Sequence, residues 1–139
     1  MRVFLDANIL VAVLNKEYPL FSYAAKILSL SQHSAFSLYT SPVCLAIAFY
    51  FSEKKSGSIK AREKIQILCK NLKITTVSNK VVQKTIGNPN IHDFEDGLEY
   101  YSAIDADCEV IITENLNDFY FSTVPVMNCD SFIRDIMAS

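Results

Sequence analysis

Short apolar runs recur along the chain, and longer segments with polar residues on one side separate them. The runs lie at residues 3–5, 35–39, 73–77, 110–112 and 124–126, and they have the length and composition of buried β-strands. Short buried strands that alternate with helices form parallel sheets covered on both faces. The pattern therefore predicts an α/β fold, a three-layer α/β/α sandwich with a central parallel sheet.

Helices are predicted in the segments between these strands. They are residues 8–14, a segment opened by Tyr18-Pro19, residues 42–52, 59–72, a short helix capped by Ser78, residues 94–106 and a last helix from about residue 130. Ser41 followed by Pro42 is a typical helix start, since Ser caps a helix and Pro suits its first position. Asp93 is expected to cap the helix 94–106, and residues 56–58 and 87–90 are predicted turns.

The composition predicts one globular domain that spans residues 1–139. Half of the residues are hydrophobic and only three are Gly, which excludes a disordered chain. The longest apolar run, residues 43–51, is far shorter than the roughly 20 residues that cross a bilayer, so no membrane partner is expected. Because Cys44, Cys69, Cys108 and Cys129 form no C-x-x-C pair, we expect reduced, buried thiols in a cytoplasmic protein.

The net charge of −2 conceals two oppositely charged parts of the chain. Residues 1–84 carry twelve Lys or Arg and four acids, whereas residues 85–139 carry one Arg and eleven acids. Seven of the basic residues fall between Lys54 and Lys73. Such a run is most often a solvated helix face, and the functional alternative is a surface that contacts phosphates.

Three aspartates are expected at one edge of the sheet. Asp6 directly follows the first strand, Asp118 lies in the loop after the fourth, and Asp96 lies in the first turn of the helix 94–106. Open α/β sheets bind ligands at the carboxyl ends of their strands, and a buried carboxylate is costly unless a cation pairs with it. Asp96 and Asp118 have a structural explanation as helix caps, whereas Asp6 gains little from capping. Together the three offer hard oxygen donors that suit Mg²⁺ or Mn²⁺.

Three motifs, in this order, resemble those of PIN-domain nucleases. They are residues 4–9 (Phe-Leu-Asp-Ala-Asn-Ile), 93–98 (Asp-Phe-Glu-Asp-Gly-Leu) and 111–119 (Ile-Ile-Thr-Glu-Asn-Leu-Asn-Asp-Phe). The resemblance covers nearly the whole chain, whose length is similar to that of the stand-alone VapC-like toxins of prokaryotes. It implies a metal-dependent endoribonuclease with Mg²⁺ or Mn²⁺ as cofactor, acting as the toxin of a type II toxin–antitoxin pair.

The resemblance also implies residue roles and partners. The catalytic and metal-binding acids fall on Asp6, Asp96 and Asp118, and the supporting residues around them are Asn8, Asp93, Glu95, Thr113 and Asn115. The implied substrate is RNA, and the candidates for contacts with its backbone are Lys54, Lys55, Lys60 and Arg62. A cognate antitoxin protein and a homodimer are the expected protein partners.

One position departs from the family pattern. The helix after the second strand usually carries a Glu in a Ser-Pro-x-x-Leu-Ala-Glu type of run, and here Ile47 occupies that position. Glu53 lies six residues on, about 600° around a helix, and cannot simply replace it. The candidates to fill the vacancy are Glu95, Asp93 and Glu114. The alternative function is that of a degenerate PIN domain, which binds RNA or a protein partner without cleaving it.

A phosphatase of the haloacid dehalogenase type also begins with an acid after its first strand. Those enzymes use Asp-x-Asp, in which the second Asp transfers a proton. Asn8 occupies that position here and cannot act as an acid or a base, which argues against this class.

Overall fold

The computed structural model describes residues 1–138. Its sheet consists of β1 (Arg2–Leu5), β2 (Ser37–Thr40), β3 (Lys73–Ile74), β4 (Val110–Ile112) and β5 (Val126–Met127). The α-helices of this described part are α1 (Ala7–Leu14), α2 (Leu20–Leu28), α3 (Pro42–Ser56), α4 (Ser58–Cys69), α5 (Asn79–Gly87), α6 (Phe94–Asp105) and α7 (Cys129–Phe132). Short 3₁₀ turns lie at Ser29–Gln32 and Leu116–Phe119, and a π-helical turn at Ile133–Met137 follows α7.

The strand order β3-β2-β1-β4-β5 places β1 and β4 side by side in the centre of the sheet. All neighbouring strands are parallel, and Phe4 pairs with Tyr39 of β2 on one side and with Ile111 of β4 on the other. From β1 the chain builds outward to β2 and β3, then crosses back to β4 and β5. Such a reversal opens a crevice at the carboxyl ends of the two central strands, where ligands bind in open α/β sheets.

Both faces of the sheet are covered. Val3, Phe4 and Leu5 are fully buried, although successive side chains of a strand point to opposite faces. One helical layer contains α1, α2, α3, α4 and α7. In it α1 packs against α2 and α3, α4 packs against α3, and α7 packs against α2. The other layer consists of α5 and α6, which pack against each other. The predicted three-layer sandwich with a central parallel sheet is confirmed.

Several predicted strand boundaries differ from the structure. β2 is Ser37–Thr40 rather than 35–39, and β3 contains only Lys73–Ile74 of the predicted 73–77. The β2–β3 ladder ends where the Thr75 amide donates to the Thr40 carbonyl at 2.8 Å. The strand predicted at 124–126 is instead Val126–Met127, because Ser122 Oγ bonds both backbone groups of Val124 and holds that residue in a turn.

Two predicted turns are shorter than expected. α3 continues to Ser56 and α4 begins at Ser58, so Gly57 alone separates them. Gly57 has φ +85°, a conformation that is costly for residues with a Cβ. Gly87 ends α5 instead of opening the following loop.

The loop predicted around Asp118 is more regular than expected. Asp118 lies inside the 3₁₀ turn Leu116–Phe119.

The predicted helix caps are confirmed. Ser41 accepts a hydrogen bond from the Cys44 amide at 3.0 Å, Ser78 caps α5, and Asp93 Oδ1 accepts from the Glu95 amide at 2.9 Å.

The four cysteines are free thiols, as expected, although Cys69 is only partly buried. Among residues 1–138, no helix combines the length and the apolar composition that a bilayer-crossing helix needs.

Candidate active site

The crevice between β1 and β4 is an open cavity of about 480 Å³. It contains all three aspartates that the sequence singled out, together with four of the five predicted supporting residues. These residues are Asp6, Asn8, Asp93, Glu95, Asp96, Asn115 and Asp118. Residues far apart in sequence therefore meet at the carboxyl ends of the central strands, as their positions after strands and at a helix start predicted.

Asp6 is the most constrained acid of the cavity, with only 6% of its surface exposed. It ends β1 and also caps α1, since Oδ1 accepts a hydrogen bond from the Ala7 amide at 2.6 Å, so the prediction that Asp6 gains little from capping is wrong. Its other oxygen, Oδ2, accepts from the Thr113 hydroxyl at 2.8 Å. Both oxygens have a donor from the protein, so the orientation of this carboxylate is fixed by the fold.

Thr113, the fifth predicted supporting residue, links the elements around Asp6. Its hydroxyl is fully buried, donates to Asp6 and accepts from Asn8 Nδ2 at 3.1 Å and from the Asn115 amide at 3.0 Å. Asn8 in turn accepts from the Glu114 amide at 3.2 Å. A hydroxyl has one proton and two lone pairs, so this network uses the full capacity of Thr113.

Replacing Thr113 with Val is expected to weaken divalent-cation binding by about 10- to 100-fold, the usual effect of losing a group that orients a ligand. The variant keeps the shape of the side chain but leaves Asp6 Oδ2 and Asn8 without their buried partner. Isothermal titration with Mn²⁺ measures the effect. Thr113→Ser is the matched control, since it keeps the hydroxyl; equal losses in the two variants would contradict a role for the hydrogen bond.

The first turn of α6 brings Asp96 into the cavity. Burial raises the pKa of Asp96 to about 7, and the negative charges of Asp93, Asp118, Asp6 and Glu95 add to the increase. The carboxylates are thus close enough to repel one another. The described residues contain only the ion pairs Lys80–Asp105 and Arg134–Asp130, so no basic side chain of residues 1–138 neutralises an acid of this site through an ion pair.

Glu99, which the sequence-based prediction missed, also lines this cavity. It lies three residues after Asp96 on α6 and is only 2% exposed. Its Oε1 accepts a hydrogen bond from the Cys44 thiol at 3.2 Å, and ligand atoms of Asp6, Cys44 and Glu99 all lie within 4.8 Å of one another. The available signal was an acid one helical turn from Asp96, on the side of α6 that carries the buried Ala103.

The surroundings of Glu99 oppose its ionisation. Burial, the charge of Asp6 and a carboxyl–carboxyl contact with Asp6 raise the pKa of Glu99 to about 10. Burial and the charges of Glu99 and Asp6 also raise the pKa of Cys44 well above its usual range. Cys44 therefore remains a thiol, and it donates its hydrogen bond to Glu99 Oε1.

Position 47, where the family pattern usually has a Glu, belongs to the same cavity. Ile47 lines the cavity from α3, as Asp96 and Glu99 do from α6. Of the candidates to fill the vacancy, Glu95 and Asp93 lie exposed at the mouth of the cavity. Glu114 does not line the cavity, because its Oε2 accepts a hydrogen bond from the Cys129 amide at 2.9 Å.

The four predicted basic residues do not line the cavity. Lys54, Lys55, Lys60 and Arg62 are exposed at the end of α3 and the start of α4. Ile47 and Phe51 of α3 line the cavity, and Lys54 lies seven residues after Ile47, on the same side of the helix. The Lys55 ammonium differs from the others because it donates to the Asn15 carbonyl at 2.5 Å.

The donor set fits a hard divalent cation. Within residues 1–138, the carboxylates of this cavity have no basic partner, and the buried Glu99 Oε2 accepts no hydrogen bond. Oxygen ligands of this kind are those that Mg²⁺ and Mn²⁺ prefer.

Comparisons with known proteins agree with this arrangement. A model of the PIN domain family matches residues 2–117. Ribonuclease VapC1 of Aquifex aeolicus (strain VF5) is 26% identical over 135 residues, which cover 94% of this chain and 92% of that protein.

Solved structures show the same fold at low sequence identity. VapBC2 from Rickettsia felis, bound to a DNA fragment from their promoter, gives a TM-score of 0.70 at 20% identity and covers 92% of this chain and 98% of that one. VapBC-1 from nontypeable Haemophilus influenzae gives 0.68 at 17% identity, with 94% and 99% covered. VapC20 of Mycobacterium tuberculosis, a Sarcin-Ricin loop cleaving toxin, gives 0.61 at 15% identity, with 78% and 86% covered.

The family model spans most of the chain. The chain belongs to the PIN domain family.

Proposed function

We propose that this protein is a metal-dependent endoribonuclease and the toxin of a type II toxin–antitoxin pair. The observation that carries the proposal is the convergence of Asp6, Asp96 and Asp118 on one open cavity, in which no basic side chain of residues 1–138 forms an ion pair with them. The similar proteins support the activity, since VapC1 is a ribonuclease and VapC20 cleaves the Sarcin-Ricin loop.

The proposed cofactor is Mg²⁺ or Mn²⁺, held by Asp6, Asp96 and Asp118. When bound, such a cation lowers the pKa of an attacking water and stabilises charge on the scissile phosphate. Asp6 is oriented by the Ala7 amide and the Thr113 hydroxyl before any cation binds. The exposed Asp93 and Glu95 add negative charge at the mouth, which raises the local cation concentration.

The proposed RNA path leaves the cavity along α3. Phe51 is 44% exposed on the cavity wall and offers an aromatic face for an unstacked base. Lys54 lies three residues further along the same side of α3, and its ammonium lies 5.5 Å from the centre of the Tyr50 ring. At 1.5 Å per residue, Lys54 is about 10 Å along the helix axis from Ile47, which suits a phosphate next to the cleaved one.

Replacing Lys54 with Ala is expected to weaken RNA binding several-fold. The slope of log binding constant against log salt concentration should become shallower by about 0.7 for each lost phosphate contact. Fluorescence anisotropy at several salt concentrations measures both quantities. The matched control is Lys70→Ala, because Lys70 is an exposed lysine beside the amino-terminal ends of β2 and β3, at the opposite edge of the sheet. Equal losses of RNA affinity in Lys54→Ala and Lys70→Ala would contradict a specific contact at Lys54, because they would reflect only the lost positive charge.

The proposal includes partners and a setting. VapBC2 and VapBC-1, which share the fold, support a cognate antitoxin that binds this chain. We include a homodimer, which analytical ultracentrifugation of the purified protein tests. An enzyme that acts on cellular RNA is expected to work in the cytoplasm.

The test of the proposed function is cleavage of a set of fluorogenic RNA oligonucleotides by the purified chain. We expect cleavage with Mg²⁺ or Mn²⁺ and none after chelation with EDTA. The degenerate alternative draws on Ile47, an apolar residue on the wall of the acidic cavity. RNA binding without cleavage in any metal would favour that alternative and contradict the proposed activity.

A further inference from the structure

We infer that Glu99 supplies the fourth carboxylate of the metal site from α6, in place of the acid that α3 lacks at Ile47. The inference rests on the proposed function, since it assigns a ligand to the same metal. It differs from the family pattern in the element that carries the acid. The site would then be complete, although the usual position is apolar.

Positions 99 and 47 lie on two helices that pack against each other beside the cavity. Glu99 on α6 and Ile47 on α3 both line that cavity. Cys44 lies three residues before Ile47, on the same side of α3, and its Sγ lies 3.2 Å from Glu99 Oε1. The Glu99 carboxyl is thus held against the side of α3 from which a Glu at position 47 would project.

The burial of Glu99 points to a ligand rather than to a structural role. Glu99 is only 2% exposed, and its Oε2 accepts no hydrogen bond from residues 1–138. Buried polar atoms are nearly always paired, and an unpaired one destabilises the fold. A cation between Asp6 and Glu99 would supply the missing partner.

The spacing agrees with shared coordination. Ligand atoms of Asp6 and Glu99 lie within 4.8 Å of each other. Two oxygens that bind the same Mg²⁺ or Mn²⁺ at about 2.1 Å lie at most about 4.2 Å apart, so small side-chain movements suffice. Cys44 holds one oxygen of Glu99 by a hydrogen bond, which leaves the other for the cation.

The competing interpretation is a neutral buried acid that only donates a hydrogen bond to Asp6. Under that interpretation Glu99 orders the cavity but does not bind a cation, and Gln replaces it without loss. Under our inference, the metal site requires this carboxylate charge, and either Glu99 on α6 or a Glu at position 47 on α3 can supply it. The two interpretations therefore differ in metal affinity and in the effect of a second substitution.

The experiment measures Mn²⁺ binding to the full chain by electron paramagnetic resonance and isothermal titration. The variants are Glu99→Gln, Ile47→Glu/Glu99→Gln and the control Glu63→Gln, which removes an exposed acid of α4 outside the cavity. We expect Glu99→Gln to weaken Mn²⁺ binding by about tenfold or more, the double variant to recover most of the affinity, and the control to match the wild type. Circular dichroism establishes that each variant is folded.

Mn²⁺ affinity that is unchanged in Glu99→Gln would overturn the inference. A loss that Ile47→Glu does not reverse would overturn the equivalence of positions 47 and 99. RNA cleavage by the same samples separates this inference from the proposed function. Glu99-dependent Mn²⁺ binding in a wild type that cleaves no RNA would contradict the proposed function alone, whereas a cleaving wild type with Glu99-independent binding would contradict this inference alone.

Discussion

Replacing Asp6 with Asn is expected to lower metal-dependent RNA cleavage by about 10²- to 10³-fold, the effect of removing one preorganised group that stabilises charge in a transition state. Asn has nearly the same shape, and its single carbonyl oxygen can still accept from the Ala7 amide and cap α1. The loss therefore reflects the missing negative charge rather than a lost helix start. Single-turnover cleavage of a fluorogenic RNA measures it.

The same variant separates catalysis from stability. Because Asp6 raises the pKa of Glu99 by its charge, Asp6→Asn relieves repulsion in the metal-free protein. We expect its melting temperature without metal to stay close to that of the wild type, because the relieved repulsion is offset by the lost hydrogen bond from the Thr113 hydroxyl to Asp6 Oδ2. Asp135→Asn, an exposed acid near the carboxyl-terminal end, is the control. Wild-type cleavage rates in Asp6→Asn would contradict the site assignment.

Gly97→Ala is expected to destabilise the protein by about 1–3 kcal/mol, the usual cost of overpacking a core. A Cβ at Gly97 would lie 2.4 Å from the Cγ2 of Thr85 on α5 and 3.0 Å from the Cγ2 of Ile91. Thr85 cannot rotate away without losing the hydrogen bond from its hydroxyl to the Val81 carbonyl at 2.9 Å. Thermal and urea unfolding of the metal-free protein measure the change.

Gly87→Ala is the matched comparison. Gly87 is the last residue of α5, and a Cβ there would have no atom within 4 Å. We expect a gain of about 0.4–1 kcal/mol, because Ala reduces the freedom of the unfolded chain and favours the helix. Opposite signs at the two glycines would establish close packing as the cause, whereas equal losses would contradict it.

The parts of the site that follow strands and helix caps could be predicted from the sequence. Asp6 follows an apolar run, and Asp93 caps a helix whose third residue is Asp96. Parallel strands place such residues at one edge of the sheet. The strand limits were less predictable, because edge-strand length depends on a neighbour, as the short β3 beside β2 shows.

Glu99 could not be assigned from the sequence for a physical reason. Its position matters only because α6 packs against α3 and brings it to Cys44. Local patterns do not report the contact between two helices that are about fifty residues apart in sequence. An acid after Asp96 is therefore indistinguishable in sequence from a solvated one until both helices are placed.

Asp6 is at once a cap for α1 and an acid of the cavity, and this double use affects how relatives of the chain are classified. An inactive relative would still need a capping residue after its first strand, so an Asp or Asn there is a poor marker of nuclease activity. A buried acid with an unpaired oxygen has no such structural benefit. An acid at either position 47 or position 99 is accordingly the sharper diagnostic for sorting active from inactive relatives.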